Sequence, residues 1–327
     1  MKRLLLAVCG SALVAVAPAQ AQQAWQPGPV VQYIVPAGPG GALDMAARTI
    51  QKIAIEKKLV ESMVVQNRPG GALAVALNEI DKHSGDGNYL MTLTTSLINN
   101  NITGSLTDRT YDKYTPLAVL FQEYVGLIVH KDSPFKTAKD LVEFMREDPE
   151  KLNIAIATSL GNHIHVGAAL PLQEAGVDAS KINFIAYKSS ADSISQLLGK
   201  HVDVVAASSP NFLTAMRNDD LRILVVGAPE RLPGELSFIP TWKEEGIDIV
   251  TMSIQGVLGP PNLSDAQIAF WGDALAQITA TDEWKQFVQA RGWNPDFVGP
   301  DGVNAVLASE TARIQAILDI LGLSKNR

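Results

Sequence analysis

Two stretches of this 327-residue chain combine residue types suited to holding an anion. The first is VPAGPGGALDMAAR, Val35 to Arg48. An apolar run stops at Pro36, passes Ala37, Gly38, Pro39, Gly40 and Gly41, and turns helical. Glycines let the backbone approach a ligand closely and accept positive φ, and the amides opening a helix favour a negative charge. A glycine turn that merely joins strand to helix is the competing reading. A phosphate loop would need Gly-Lys-Ser/Thr at the helix start, where Ala42 and Leu43 follow Gly41. A dinucleotide fingerprint would need a third glycine at position 43. Asp44 and Arg48 stand four apart, a spacing for an i,i+4 bridge with the acid near the helix N-terminus, and a direct ligand role for Asp44 is the alternative.

The second stretch is TSLGNHIH, Thr158 to His165. It repeats the pattern of strand, polar loop and helix. Its Ser159, Gly161 and Asn162 are candidate ligand contacts, and His163 and His165 suit capping or hydrogen bonding. Two histidines at i,i+2 with no third ligand in view make a poor metal site, so neither metal nor cofactor is expected. Ser208-Ser209-Pro210 forms a third such loop, with proline at the first helical position. No G-x-S-x-G elbow or H-E-x-x-H motif is present, although a serine triad need not be contiguous in sequence.

The elements that position these loops alternate. β-like runs at 30–35, 63–66, 89–92, 117–129, 153–157, 182–186, 202–206 and 221–226 are separated by helical patterns, and the C-terminal part is mostly helical. Strands separated by such helices need crossovers, which predicts parallel α/β sheets with helices on both faces. Extended segments near 124–129 and 250–257 suggest two α/β lobes joined by two crossings: residues 22–125 with 251–327, and residues 126–250. Open α/β sheets bind ligands beyond the carboxyl ends of their strands, where the polar loops sit.

The composition fits a globular protein, 46% hydrophobic and 19% charged. Its net charge of -7 and lack of basic runs argue against nucleic acid and anionic membrane surfaces. Lys2-Arg3, an apolar stretch to Ala17, and Ala19-Gln20-Ala21 have the form of a cleaved signal peptide spanning residues 1–21. The single cysteine, Cys9, lies inside it. A mature chain without thiols suits an oxidising compartment such as the periplasm.

From about Val30 onward the chain resembles the periplasmic solute-binding proteins of tripartite tricarboxylate transporters, the Bug family. Six segments carry the resemblance in order: VPAGPGGALDMAAR, VVQNRPGGA (Val64–Ala72), GDGNYLMTLTTS (Gly85–Ser96), ATSLGNHIH (Ala157–His165), AYKSSADSISQLLGKHVDVV (Ala186–Val205) and FIPTWKEEGID (Phe238–Asp248). The resemblance implies a type II periplasmic binding fold, two α/β lobes with a ligand cleft between them. The ligand would be an organic carboxylate, held largely by backbone N–H groups of Ala37 to Gly41 and Ser159 to Asn162. Asp44, Thr95, Ser96, His165 and Ser208 are further candidate contacts. The partners implied are membrane permease subunits, with the receptor itself a monomer and no enzyme. A periplasmic α/β hydrolase and a ligand-sensing partner of a membrane receptor are the alternatives. Where many members carry an aromatic residue after the first proline, this chain has Ala37. The family's Y-K-G is Tyr187-Lys188-Ser189 here, and Ala207-Ser208 replaces an acid or amide. Small residues there lead us to expect a roomy pocket for an aromatic or extended carboxylate, dicarboxylates included, rather than a compact amino acid. An ordinary short dicarboxylate, with neighbouring packing filling the space at Ala37, is the alternative.

Overall fold

The structure, a computed structural model, describes residues 25–325. The signal-peptide expectation falls outside the described residues. In chain order the elements are β1 (Val31–Val35), α1 (Ala42–Glu56), β2 (Met63–Asn67), α2 (Ala74–Ile80), β3 (Tyr89–Thr94), α3 (Ser96–Ile102), β4 (Thr115–His130), α4 (Ala138–Glu147), β5 (Asn153–Ala157) and α5 (His163–Glu174). They continue with β6 (Asn183–Tyr187), α6 (Ser190–Leu198), β7 (Val204–Ser208), α7 (Pro210–Met216), β8 (Leu221–Val226), β9 (Met252–Gly259), α8 (Asp265–Thr279), α9 (Asp282–Gln289), β10 (Asn294–Val298) and α10 (Pro300–Ile320).

The helices follow the apolar spacing. In α1 the buried apolar positions are Ala46, Ala47, Ile50, Ile53 and Ala54, one stripe at helical period. Thr137 and Ser264 close capping boxes at the starts of α4 and α8. β1, β4 and β7 are buried on both faces, as strands with helices above and below must be.

The strands run in the order β2-β1-β3-β9-β4-β7-β5-β6, with β8 and β10 also paired to β4. This corrects the expectation of wholly parallel sheets. β1 pairs in parallel with β2 and β3, and β5 with β6 and β7. β4, however, runs antiparallel to β7, β8, β9 and β10. Hydrophobic period cannot reveal strand direction, because a both-sided apolar strand reads the same either way.

β4 is the spine of the molecule. Residues Thr115 to Tyr124 pair with β9, while Val125 to His130 pair with β7 and β8. The chain returns to the first lobe beside it, through Thr251, whose N–H donates to Gly227 O while Gly227 N–H donates to Val125 O, both at 2.8 Å. A Cβ at Gly227 would lie 3.1 Å from Val125 O and 3.0 Å from Thr251 O, so only glycine lets the crossings approach this closely. α10 braces the return: Arg313 donates to Val250 O and pairs with the buried Glu310 at 2.6 Å.

Strand direction decides where the polar loops meet. β1 and β3 run in the direction of β4, out of the first lobe toward the second. β5 and β7 run against β4. The carboxyl ends of all four therefore point at the crossing from opposite sides.

Candidate functional site

At the end of β1 the loop is bare. Gly38, Pro39, Gly40 and Gly41 are exposed, Gly40 has φ +77°, and a Cβ at Gly38 or Gly40 would meet nothing within 4 Å. Gly41 caps α1 without any side-chain bond. The loop is held from below by Asp44, which is 2% exposed. Its carboxylate accepts from Gly40 N at 2.8 Å, Arg48 Nε at 2.9 Å and Asn67 Nδ2 at 2.9 Å, and Asn67 also donates to Ala37 O at 3.0 Å. Burial works against that charge, but the bonds from Arg48, Gly40 and Asn67 outweigh it and hold the carboxyl below its ordinary range. The i,i+4 pairing expected of Asp44 and Arg48 is present, and Asn67 completes it. Asn67 lies in the NRPG segment, but its reach back to the loop could not be read from sequence.

These bonds decide which amides remain free. Gly40 N–H is committed to Asp44, and Pro39 has none. Among the described residues, no hydrogen bond is found from the N–H groups of Gly38, Gly41 or Ala42. They are exposed donors at the start of a 15-residue helix.

The facing loop, after β5, is built on its own side chains. Thr158 and Gly161 have φ +64° and +82°. Asn162 caps α5: its Oδ1 accepts from Ile164 N and His165 N, and its Nδ2 donates to Ala157 O and Thr158 Oγ1. His165 is 2% exposed, and its Nδ1 accepts the Gly161 N–H at 2.9 Å, which puts the ring hydrogen on Nε2. Burial pushes the imidazole down to about 4. Thr158 N–H and Ser159 N–H are bonded to Tyr187 O and Ala157 O. Leu160 and Asn162 keep unpaired amides among the described residues.

Three further candidates lie between these loops. Thr95, after β3, is buried, with its Oγ1 accepting from Ile254 N at 2.7 Å, and Ser96 is half-buried beside it. Ser208, at the end of β7, is buried with its Oγ 3.2 Å from His163 Nε2. That same nitrogen is 3.2 Å from Glu123 Oε1 on β4. A serine triad needs the acid and the serine on different ring nitrogens, and here both share one. Glu123 was missed from sequence, although a lone acid inside the apolar run VLFQEYVGLIV was its visible signal.

The lobes also touch. Asn99 of α3 donates to Gly161 O at 2.6 Å, buried, and a Cβ on Gly161 would lie 2.8 Å from Thr103 Cγ2. Among the described residues no group of three or more His, Cys, Asp or Glu is placed to hold a metal ion.

Two α/β lobes on a shared crossing, with facing loops that present backbone donors, define a two-lobed solute-binding protein. The profile of the tripartite tricarboxylate transporter family receptor, TctC, matches residues 46–323, and the chain belongs to that family. The protein BugT of Bordetella pertussis is 24% identical over 287 residues, 86% of each chain. A UPF0065 protein from the gbd 5' region of Cupriavidus necator is 25% identical over 312 residues, 95% of this chain and 93% of its own. Among solved structures, a TctC solute-binding protein from Polaromonas, without ligand, superposes with TM-score 0.76 at 21% identity, covering 89% of this chain and 98% of its own. R. palustris Rpa4515 with adipate gives 0.72 at 25%, covering 90% and 97%.

Proposed function

We propose that this protein is the receptor of a tripartite tricarboxylate transporter, capturing an organic carboxylate between its lobes and delivering it to the permease subunits. The observation that carries the reading is the convergence, from opposite sides of the crossing, of two loops with unpaired backbone amides. Such donors hold a carboxylate without an arginine cluster, which suits a chain of net charge -7. We assign the grip to Gly38, Gly41 and Ala42 on one side and Leu160 and Asn162 on the other. In this reading Asp44 and His165 set the loops rather than touch the ligand, and the lobes divide as residues 22–125 with 251–327 and residues 126–250. The related Rpa4515 binds adipate, which supports a carboxylate ligand here. Ala37 is small and half-buried beside the glycine loop. Ala207, expected to keep the opposite wall small, is instead buried in the second lobe's core with Tyr124 and Phe212 and does not line the cleft. Trp242, Trp271, Trp284 and Trp293 are buried in the cores, so the pocket suits an extended or aromatic body. The receptor acts as a monomer in the periplasm after removal of its signal peptide.

A melting screen against a panel of organic acids tests this. An acid present at 100 times its dissociation constant adds about 2.7 kcal/mol of stability. A panel of aliphatic and aromatic mono- and dicarboxylates that leaves the melting curve unmoved overturns the reading. Loss of uptake on deletion, with signalling intact, separates transport from a sensory role.

A further inference from the structure

Between the two loops the sheet itself presents polar side chains. Thr94 lies opposite Gln255 and Ser253 opposite Glu123 in antiparallel register, and directly opposed residues project from one face. That face is the one α1 covers. Val257, two residues from Gln255, and Phe121, two from Glu123, share a core with Tyr33, Ala46, Ile50 and Trp293. It is also the face on which the first turn of α5 sits, because His163 reaches Glu123 at 3.2 Å. A polar strip therefore runs from beneath the glycine loop to the second-lobe loop, through Thr94, Gln255, Ser253 and Glu123 to His163 and Ser208.

The strip is rich in acceptors. Gln255 is 6% exposed and its Oε1 has no partner, while its Nε2 lies 3.5 Å from Ser253 Oγ. Glu123 is 9% exposed; its carboxylate can only accept, and His163 supplies one donor. A buried acceptor without a donor is costly and marks a place where a partner is expected. A second ligand carboxylate brought here would instead meet like charge in a poorly solvated place.

We propose that this strip is a second subsite, taking a hydrogen-bond donor at the end of the ligand remote from its carboxylate. The ligand class is then a monocarboxylate with a distal ammonium or hydroxyl group, not a dicarboxylate. This rests on the carboxylate reading above and narrows it. Glu123 and Gln255 become specificity-determining residues.

Calorimetry with matched pairs decides it: 6-aminohexanoate against adipate, and 4-hydroxybenzoate against terephthalate. The donor-bearing acid of at least one pair is expected to bind about 10-fold or more tightly than its dicarboxylate, a difference of about 1.4 kcal/mol. Glu123→Gln removes the repulsion and should shrink or reverse that ratio. If Glu123→Gln does not fold, Gln255→Leu, which removes an acceptor without changing charge, should lower affinity for the donor-bearing acid more than for the dicarboxylate. Dicarboxylates binding as tightly as their partners, with a ratio that Glu123→Gln or Gln255→Leu leaves unchanged, overturn the subsite while the carboxylate reading stands. No binding of any acid in the wider melting screen sinks both.

Discussion

Gly40 sits at φ +77° with open space where a Cβ would go. Backbone strain, not a clash within the protein, therefore decides the effect of a substitution there. A β-branched residue at positive φ costs about 1–2 kcal/mol and would pull the loop from its bond to Asp44. Gly40→Val is expected to stay folded but lose carboxylate affinity by at least about 10-fold; unchanged affinity by calorimetry would remove the loop from the site. His165 makes a second prediction, in pH. Its ring is held near 4 by burial, whereas in the unfolded chain it titrates at about 6.5. Between those values the unfolded state binds a proton that the native state refuses. This contribution to stability is present in full above about pH 6.5 and is lost as pH falls toward 4, by up to about 3 kcal/mol. Denaturation from pH 7 to 4 should show a smaller loss in His165→Asn, whose amide oxygen can still accept from Gly161; equal slopes would refute the assignment. At this scale the sequence was partly legible. The glycine and serine loops stood out as candidates by residue type. Asn67 and Glu123 act through partners 23 and 40 positions distant in sequence, and spacing could not bring those together.

Among the elements, β4 carries the most. Its 16 residues serve both lobes, and β9 returns beside it. The close approach at Gly227 gives a prediction of its own. Gly227→Ala would place a methyl group 2.0 Å from Thr251 Oγ1 and about 3 Å from two backbone oxygens. Forcing such crowding costs about 1–3 kcal/mol. Removing the hydroxyl as well, in Gly227→Ala with Thr251→Ala, should recover only part of it, because the backbone contacts remain. Full recovery of the melting temperature in the double variant would show that the crossings themselves are not tightly apposed. Most helices and strands were readable from period and punctuation. β10 was not, since Pro295 within NPDFV argues against a strand, and it survives by pairing with β4 along an interrupted register. α3 was missed because SLINNNI is rich in asparagine, a weak helix former, and Asn99 is kept there by its bond to Gly161.

At the scale of the whole molecule, in the grip proposed above each lobe supplies only part of the donors a carboxylate needs, so a bound anion would favour the arrangement that brings both loops onto it. Small-angle scattering is expected to give a smaller radius of gyration with a saturating acid from the melting screen than without. Superimposable curves would argue for a preformed, rigid site. The two-lobed plan was legible from the order of the loops and from the resemblance, while the antiparallel spine that makes the loops face each other was not. The donors assigned to the grip have one further consequence. A point substitution deletes a side chain but not a peptide N–H, unless it introduces proline. Ala37, Thr94, Gln255 and Glu123 can thus be exchanged one at a time while the amides at Gly38, Gly41 and Ala42 persist. A lineage built on this loop can change its cargo by small steps, without passing through an ancestor that holds nothing.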